Sequence, residues 1–434
     1  MVTNCKIAGN IYFIDPEILY EKKLLTENDL KECRSNDKYV TDYDFLHETR
    51  EDVFRRALLH ITDEIRVGVQ KFCTENPWVK DYALYCALKK KYEDLPWWEW
   101  DSALMLREEK ALCESEKELC EDVFFYSFLQ YEFFTQWKAM KEYANKKGIS
   151  IIGDMPIYLA HDSADVWANP HLFSLDKSMH LTRCAGVPPD YFCEEGQKWG
   201  NPLYNWENLK CEGYSLWIKR LGHALSMYDA VRIDHFRAFS AYWSIPAEEK
   251  ATMGHWEKGP GIEFFDALKK EYPDANIIAE DLGDIDDDVR ELLKKTGFPG
   301  MGVMQFAFIT DDDTPHLPHN YTRKTIGYTG THDNETLRGF IEASPAHRID
   351  FMERYLAPKD GETLNDAFLR AAWGSVSNIA IAPIQDFLGL GNEARMNTPS
   401  TVNDRNWRFR IKNGVLTPDL SEKLLSLNRE NNRI

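Results

Sequence analysis

The chain has 434 residues, with 71 acidic against 52 basic side chains and a formal charge of −19. That balance opposes binding to nucleic acid or to an anionic membrane surface and suits a neutral polar substrate. No apolar run reaches the roughly 18 residues of a membrane span, residues 1–6 lack the apolar core of a signal peptide, and the nine cysteines lack C-x-x-C pairing, so a cytoplasmic protein with reduced thiols and no metal cluster is expected.

From residue 38 to 147 charged and apolar residues interleave with almost no strand signal, which predicts a mostly helical insertion. Its clearest helix is expected from Glu116 to Lys147, with Phe124, Phe128, Tyr131, Phe134 and Trp137 at three- and four-residue spacings as a core stripe. Lys146, Lys147 and Gly148 read as a basic last turn and a glycine stop. A buried strand follows over Ile149–Asp154. Residues 156–206 are rich in proline and aromatics and predict an ordered, largely irregular loop near a site.

Beyond the loop the rhythm becomes helix, then strand, then polar tip. A helix around Leu216–Leu225 precedes Ala230-Val231-Arg232-Ile233-Asp234-His235-Phe236-Arg237, an apolar run ending in a carboxylate bracketed by two arginines and a histidine. Helix Phe264–Lys270 precedes Ile277-Ile278-Ala279-Glu280, and Asp287–Lys295 precedes an expected strand over Met301–Phe308. Ile326-Gly327-Tyr328 leads to Thr331-His332-Asp333-Asn334, and helix Asp366–Val376 leads to Ile379–Pro383. Alternation of this kind favours a parallel α/β sheet. Nearly one chain of 434 residues is larger than the about 250 of a single α/β barrel, so one decorated domain over 1–434 is expected.

In a parallel barrel the C-terminal strand ends share one mouth, which would gather Asp234, Glu280 and Asp333. Arg232, two residues before Asp234, points to the same side of the strand and would keep that carboxylate ionised, as a nucleophile requires. Glu280 follows three apolar residues, a setting that raises a carboxyl pKa and suits a general acid. Asp333 beside His332 suits binding of sugar hydroxyls and support of a positive transition state. One nucleophile and one acid/base are what retaining glycoside chemistry needs. His332 and Asp333 lack an evident third ligand for a metal, and Gly327–Thr331 lacks the lysine of a phosphate loop. Cys193 has no evident histidine partner and reads as a structural thiol.

The chain resembles the amylomaltases, the 4-alpha-glucanotransferases called disproportionating enzyme in plants. The motifs that carry the resemblance are Gly153-Asp154-Met155-Pro156-Ile157-Tyr158, His161-Asp162-Ser163-Ala164-Asp165-Val166-Trp167, Gly186–Phe192, Gly196–Tyr204, the three strand tips, and Leu388–Asn397. It implies an α-amylase-like (β/α)8 TIM barrel with inserted helical and loop subdomains, acting without a cofactor on α-1,4-glucans and maltooligosaccharides, with glucose as an acceptor, in starch or glycogen metabolism. By matched position it implies Asp234 as nucleophile, Glu280 as acid/base and Asp333 as transition-state stabiliser. Asp154, Arg232, His235 and His332 match groups around the reacting sugar, and Trp199 matches the loop that covers it. Tyr191, Asn334 and Asn397 stand in the matched motifs and complete the substrate-binding set.

Family members begin with a strand, a helix and a second strand before a segment resembling Ala8–Asp15, whereas this chain starts almost at that segment. The resemblance therefore implies that the first two barrel strands and a donor-site tyrosine are absent; Ile11 also stands where the family usually has proline. Unpaired strand edges would follow, with instability or weakened turnover as the expectation. A glucan-binding protein without turnover and an α-glucan hydrolase are the alternatives.

Overall fold

A computed structural model describes residues 7–35, 39–189, 194–309 and 313–434. The chain divides into two compact units, Met1–Arg34 with Asp44–Thr296, and Ser35–Tyr43 with Gly297–Ile434. No described helix is long and apolar enough to cross a membrane.

The first unit opens with helices, among them Asp63–Glu75, Trp78–Lys91, Glu109–Glu118 and Cys120–Lys146. The long helix expected from Glu116 is thus two, interrupted at Leu119, a break that carries neither glycine nor proline. Residues 125–130 are buried on every face, so the aromatic stripe is one side of a helix enclosed all round at its middle. Phe134 packs on Phe72 and Trp78, with ring centroids 5.7 and 5.8 Å away. Gly148, at φ 76°, ends the helix in the left-handed conformation, and the N–H of Ile149 donates back to the Ala144 carbonyl at 3.0 Å.

Seven strands follow among the described residues of this unit: β1 (Ile152–Met155), β2 (Arg183–Val187), β3 (Gln197–Pro202), β4 (Ala230–Ile233), β5 (Ala241–Pro246), β6 (His255–Lys258) and β7 (Ile277–Ala279). β1, β4 and β7 form a parallel sheet in that order, with helix Ser215–Met227 leading into β4 and helix Ile262–Glu271 into β7. Every residue of β4 and β7 is buried, as a strand covered on both faces requires. Gly153 in β1 lets the Tyr228 ring close on the sheet; a Cβ there would lie 2.1 Å from it. Trp217, Phe239 and Phe264 form a buried aromatic cluster with centroids 5.0–5.7 Å apart.

The segment 156–206 is more regular than expected. It holds a helix, Ala164–Ala168, and strands β2 and β3, which join β5 and β6 in an antiparallel sheet ordered β3-β2-β5-β6. β2 is a strand because it pairs with β5, some 60 residues away in sequence, a tertiary cause that local propensity does not report.

In the second unit β8 (Met301–Val303), β9 (Ile326–Tyr328) and β10 (Ile379–Ile381) form a parallel sheet with β9 central. The strand expected over Met301–Phe308 stops at Val303, and Met304–Ala307 coil into a helical turn. A short apolar run satisfies either structure, and here Met304, Ala307 and Phe308 are drawn into a core with Leu337, Phe340, Met352 and Phe368.

Candidate active site

In the first unit the parallel register sets Asp154 of β1 directly beside Arg232 of β4. The guanidinium holds two carboxylates: Nη1 donates to Asp154 Oδ1 at 2.6 Å and Nη2 to Asp234 Oδ1 at 2.9 Å. Arg232 is 11% exposed and the carboxylates 45% and 41%, so the cation is sunk and the anions face outward. Burial opposes the charge of Arg232, but Asp154, Asp234 and Glu280 outweigh it and hold the guanidinium charged.

At the end of β4 the Asp234 N–H donates to the Met155 carbonyl, and the chain then turns through His235 in the left-handed region at φ 55°. That turn aims the His235 N–H at Glu280 Oε2, 2.7 Å away, while the Leu282 N–H donates to Oε1 at 2.9 Å. Burial and the negative charge of Asp234 push the Glu280 carboxyl up to about 8, against the pull of Arg232 and the two amides. Two neighbouring carboxyl groups thus have opposite surroundings, one open and arginine-paired, the other buried and driven toward its protonated form.

His235 is half-buried, and desolvation lowers its imidazole to about 4 despite Asp234, so its ring is neutral near pH 7. Its Nε2 has no hydrogen-bond partner among the described residues. The Trp199 indole, 37% exposed, stands edge-on to this ring with centroids 5.0 Å apart. Trp199 sits in β3, its Nε1 donating to Gln197 Oε1 at 3.1 Å.

The second unit builds its own cluster after β9. Asn334 closes the turn by accepting from both the N–H and the hydroxyl of Thr331, at 2.8 and 2.9 Å, so its carboxamide oxygen serves the loop. Asn397 Nδ2 donates to Asp333 Oδ1 at 2.6 Å, and Arg395 Nη2 to the Asp333 carbonyl at 2.8 Å. His332 Nε2 lies 3.4 Å from Asp333 Oδ2. Beneath them Asp386, buried, accepts from the Thr329 hydroxyl at 2.7 Å and from the Leu337 N–H at 2.8 Å, which ties the end of β9 to the next helix.

Asp154, Trp199, Arg232, Asp234, His235 and Glu280 therefore meet in the first unit, and His332, Asp333, Asn334 and Asn397 in the second; Tyr191 lies outside the described residues. Sequence reasoning missed Arg395, although it stands two residues before Asn397 in a matched motif, and Asp386, for which the sequence offers no signal. Among the described residues no group of three His, Cys, Asp or Glu is arranged to hold a metal ion.

The sequence pattern of the 4-alpha-glucanotransferase family matches residues 3–417. A 4-alpha-glucanotransferase of Clostridium butyricum is 44% identical over 427 residues, 97% of this chain and 88% of its own length. That of Thermus thermophilus is 42% identical over 98% of this chain and 87% of its own. A solved amylomaltase from Streptococcus agalactiae, in complex with acarbose, matches with a TM-score of 0.96 at 38% identity, covering 99% of this chain and 88% of that one. The fold is of the α-amylase-like (β/α)8 class. With its sequence matched nearly end to end, the chain belongs to the 4-alpha-glucanotransferase family, whose members are glycosyltransferase-type enzymes.

Proposed function

We propose that this 4-alpha-glucanotransferase moves a segment of an α-1,4-glucan to a second glucan, or to glucose, by a retaining double displacement. Asp234 attacks the anomeric carbon and the glycosidic C–O bond breaks, while Glu280 gives its proton to the departing oxygen. A glycosyl ester on Asp234 and a shortened glucan with a free 4-hydroxyl result. In the second half Glu280 takes the proton from the acceptor 4-hydroxyl, whose oxygen bonds to the anomeric carbon as Asp234 leaves.

The observation that carries this reading is the contrast between the two carboxyls: Arg232 binds Asp234 at 2.9 Å, and Glu280 is buried and driven up to about 8. Asp154 and His235 of the first unit and His332, Asn334 and Asn397 of the second bind the sugar, with Tyr191 from the covering segment, and Asp333 supports the oxocarbenium-like transition state. Trp199 covers the reacting sugar and limits access of water, which favours transfer over hydrolysis. Residues 1–434 act as one catalytic domain, with 38–147 as a helical insertion and 156–206 as the covering region. A cytoplasmic setting suits the exposed thiols of Cys113, Cys120 and Cys211, which a reducing compartment keeps reduced.

Incubation with maltotriose tests the reading. Glucose together with maltooligosaccharides longer than the substrate is the expected product pattern; glucose and maltose alone would indicate a hydrolase, and binding without turnover a glucan-binding protein.

A further inference from the structure

Asp234 stands between two arginines in sequence, and only Arg232 goes to it. Arg237 turns the other way and is 5% exposed. Its Nη1 donates to the Asp284 carbonyl at 2.7 Å, its Nη2 to Asp286 Oδ2 at 3.3 Å, and its guanidinium lies 3.8 Å from the centroid of the Trp256 indole. Nε is buried with no partner among the described residues. One cation thus fastens the loop after β7 to the tip of β4 and to β6, in the antiparallel sheet that also carries Trp199.

The loop it fastens, residues 281–286, follows directly on Glu280. Leu282, its second residue, supplies the N–H on Glu280 Oε1, Gly283 turns the backbone at φ 86°, and Asp286 Oδ1 accepts from the Val289 N–H at the start of helix Asp287–Thr296. None of residues 281–286 is buried, and the loop's apolar side chains, Leu282 and Ile285, are only half-buried. A buried arginine with an unsatisfied Nε adds little stability over an apolar side chain of similar size. Its contacts are better explained by what they hold in place.

We propose that Arg237 is a positioning residue for Glu280, fixing loop 281–286 so that the Leu282 N–H stays on Glu280 Oε1 and the carboxyl stays aimed at the leaving oxygen. The inference rests on the role of Glu280 given above. The charged groups facing Glu280 are Asp234 and Arg232, and those facing Arg237 are Asp284 and Asp286; none of them is altered by changing Arg237 alone.

Arg237→Met keeps the stem against Trp256 and removes the hydrogen bonds. With the loop released, kcat is expected to fall about 10- to 100-fold, the cost of a misplacement of about 1 Å, with KM little changed. An amide donor favours the ionised carboxylate, so weakening it raises the pKa of Glu280, and the basic limb of the pH–rate profile moves upward by about one unit. Loss of fold stability alone would lower the active fraction and leave that limb unmoved. A folded Arg237→Met enzyme with wild-type kcat and an unmoved limb overturns the proposal. Should that variant not fold, Asp286→Ser decides, since serine keeps an oxygen for the Val289 N–H but loses the ion pair: an upward limb supports the role and an unmoved limb overturns it. Glu280→Gln separates this inference from the reading beneath it. If Glu280→Gln is inactive, an unmoved limb counts against Arg237 alone; near-wild-type transfer by Glu280→Gln would sink the role of Glu280 itself.

Discussion

The sheet β1-β4-β7 and the sheet β8-β9-β10 both deliver a carboxylate just beyond a central strand, and they secure it by different means. Asp234 is held by a guanidinium that it shares with Asp154, and its neighbour Glu280 by two backbone amides. Asp333 receives a neutral carboxamide from Asn397, with Arg395 reaching only its backbone carbonyl. A charged guanidinium and rigid main-chain amides give stronger, better-fixed hydrogen bonds to a carboxyl group than a neutral side-chain amide, which fixes chiefly its direction. The first arrangement suits groups that exchange covalent bonds and protons, the second a group that only hydrogen-bonds to the sugar.

That contrast is open to direct attack. The largest effect is expected from Asp234→Asn, which keeps the shape and one Arg232 contact but removes the nucleophile. Turnover should fall on the order of 10⁴-fold or more while calorimetry shows maltooligosaccharide binding retained. Rates near wild type would remove Asp234 from the mechanism. A smaller loss is expected in Asn397→Ala, where Asp333 keeps His332 beside Oδ2 but loses the carboxamide hydrogen bond on Oδ1: kcat down about 10- to 100-fold, with little change in melting temperature. If Asn397→Ala were as damaging as Asp234→Asn, the distinction between the two ways of holding a carboxylate would fail.

Much of this was legible in the chain because strand and site share a grammar. Val231 and Ile233 mark a buried strand, the charge begins where burial ends, and the spacing of Arg232 and Asp234 puts both on one side, where they bond at 2.9 Å. The apolar run before Glu280 likewise announced a buried carboxyl. What could not be read depends on partners distant in sequence. β2 and β3 arise from pairing with one another and with β5, the turn at 304–307 from packing into a core, and the helix break at Leu119 carries no glycine or proline to mark it. The two arginines beside Asp234 look equivalent in sequence, yet a long side chain goes where a tertiary acceptor stands, and Arg237 finds Asp284 and Asp286 instead.

The most direct test of the opposite roles of Asp234 and Glu280 is to trap the covalent intermediate. In Glu280→Gln an α-glycosyl fluoride needs no acid to leave but lacks the base for the second half, so the glycosyl-enzyme accumulates. Peptide mass spectrometry is expected to find the sugar on the peptide containing Asp234, attached through that carboxylate. A sugar on Asp333 or Asp154, or a burst of product with no adduct, would contradict the account.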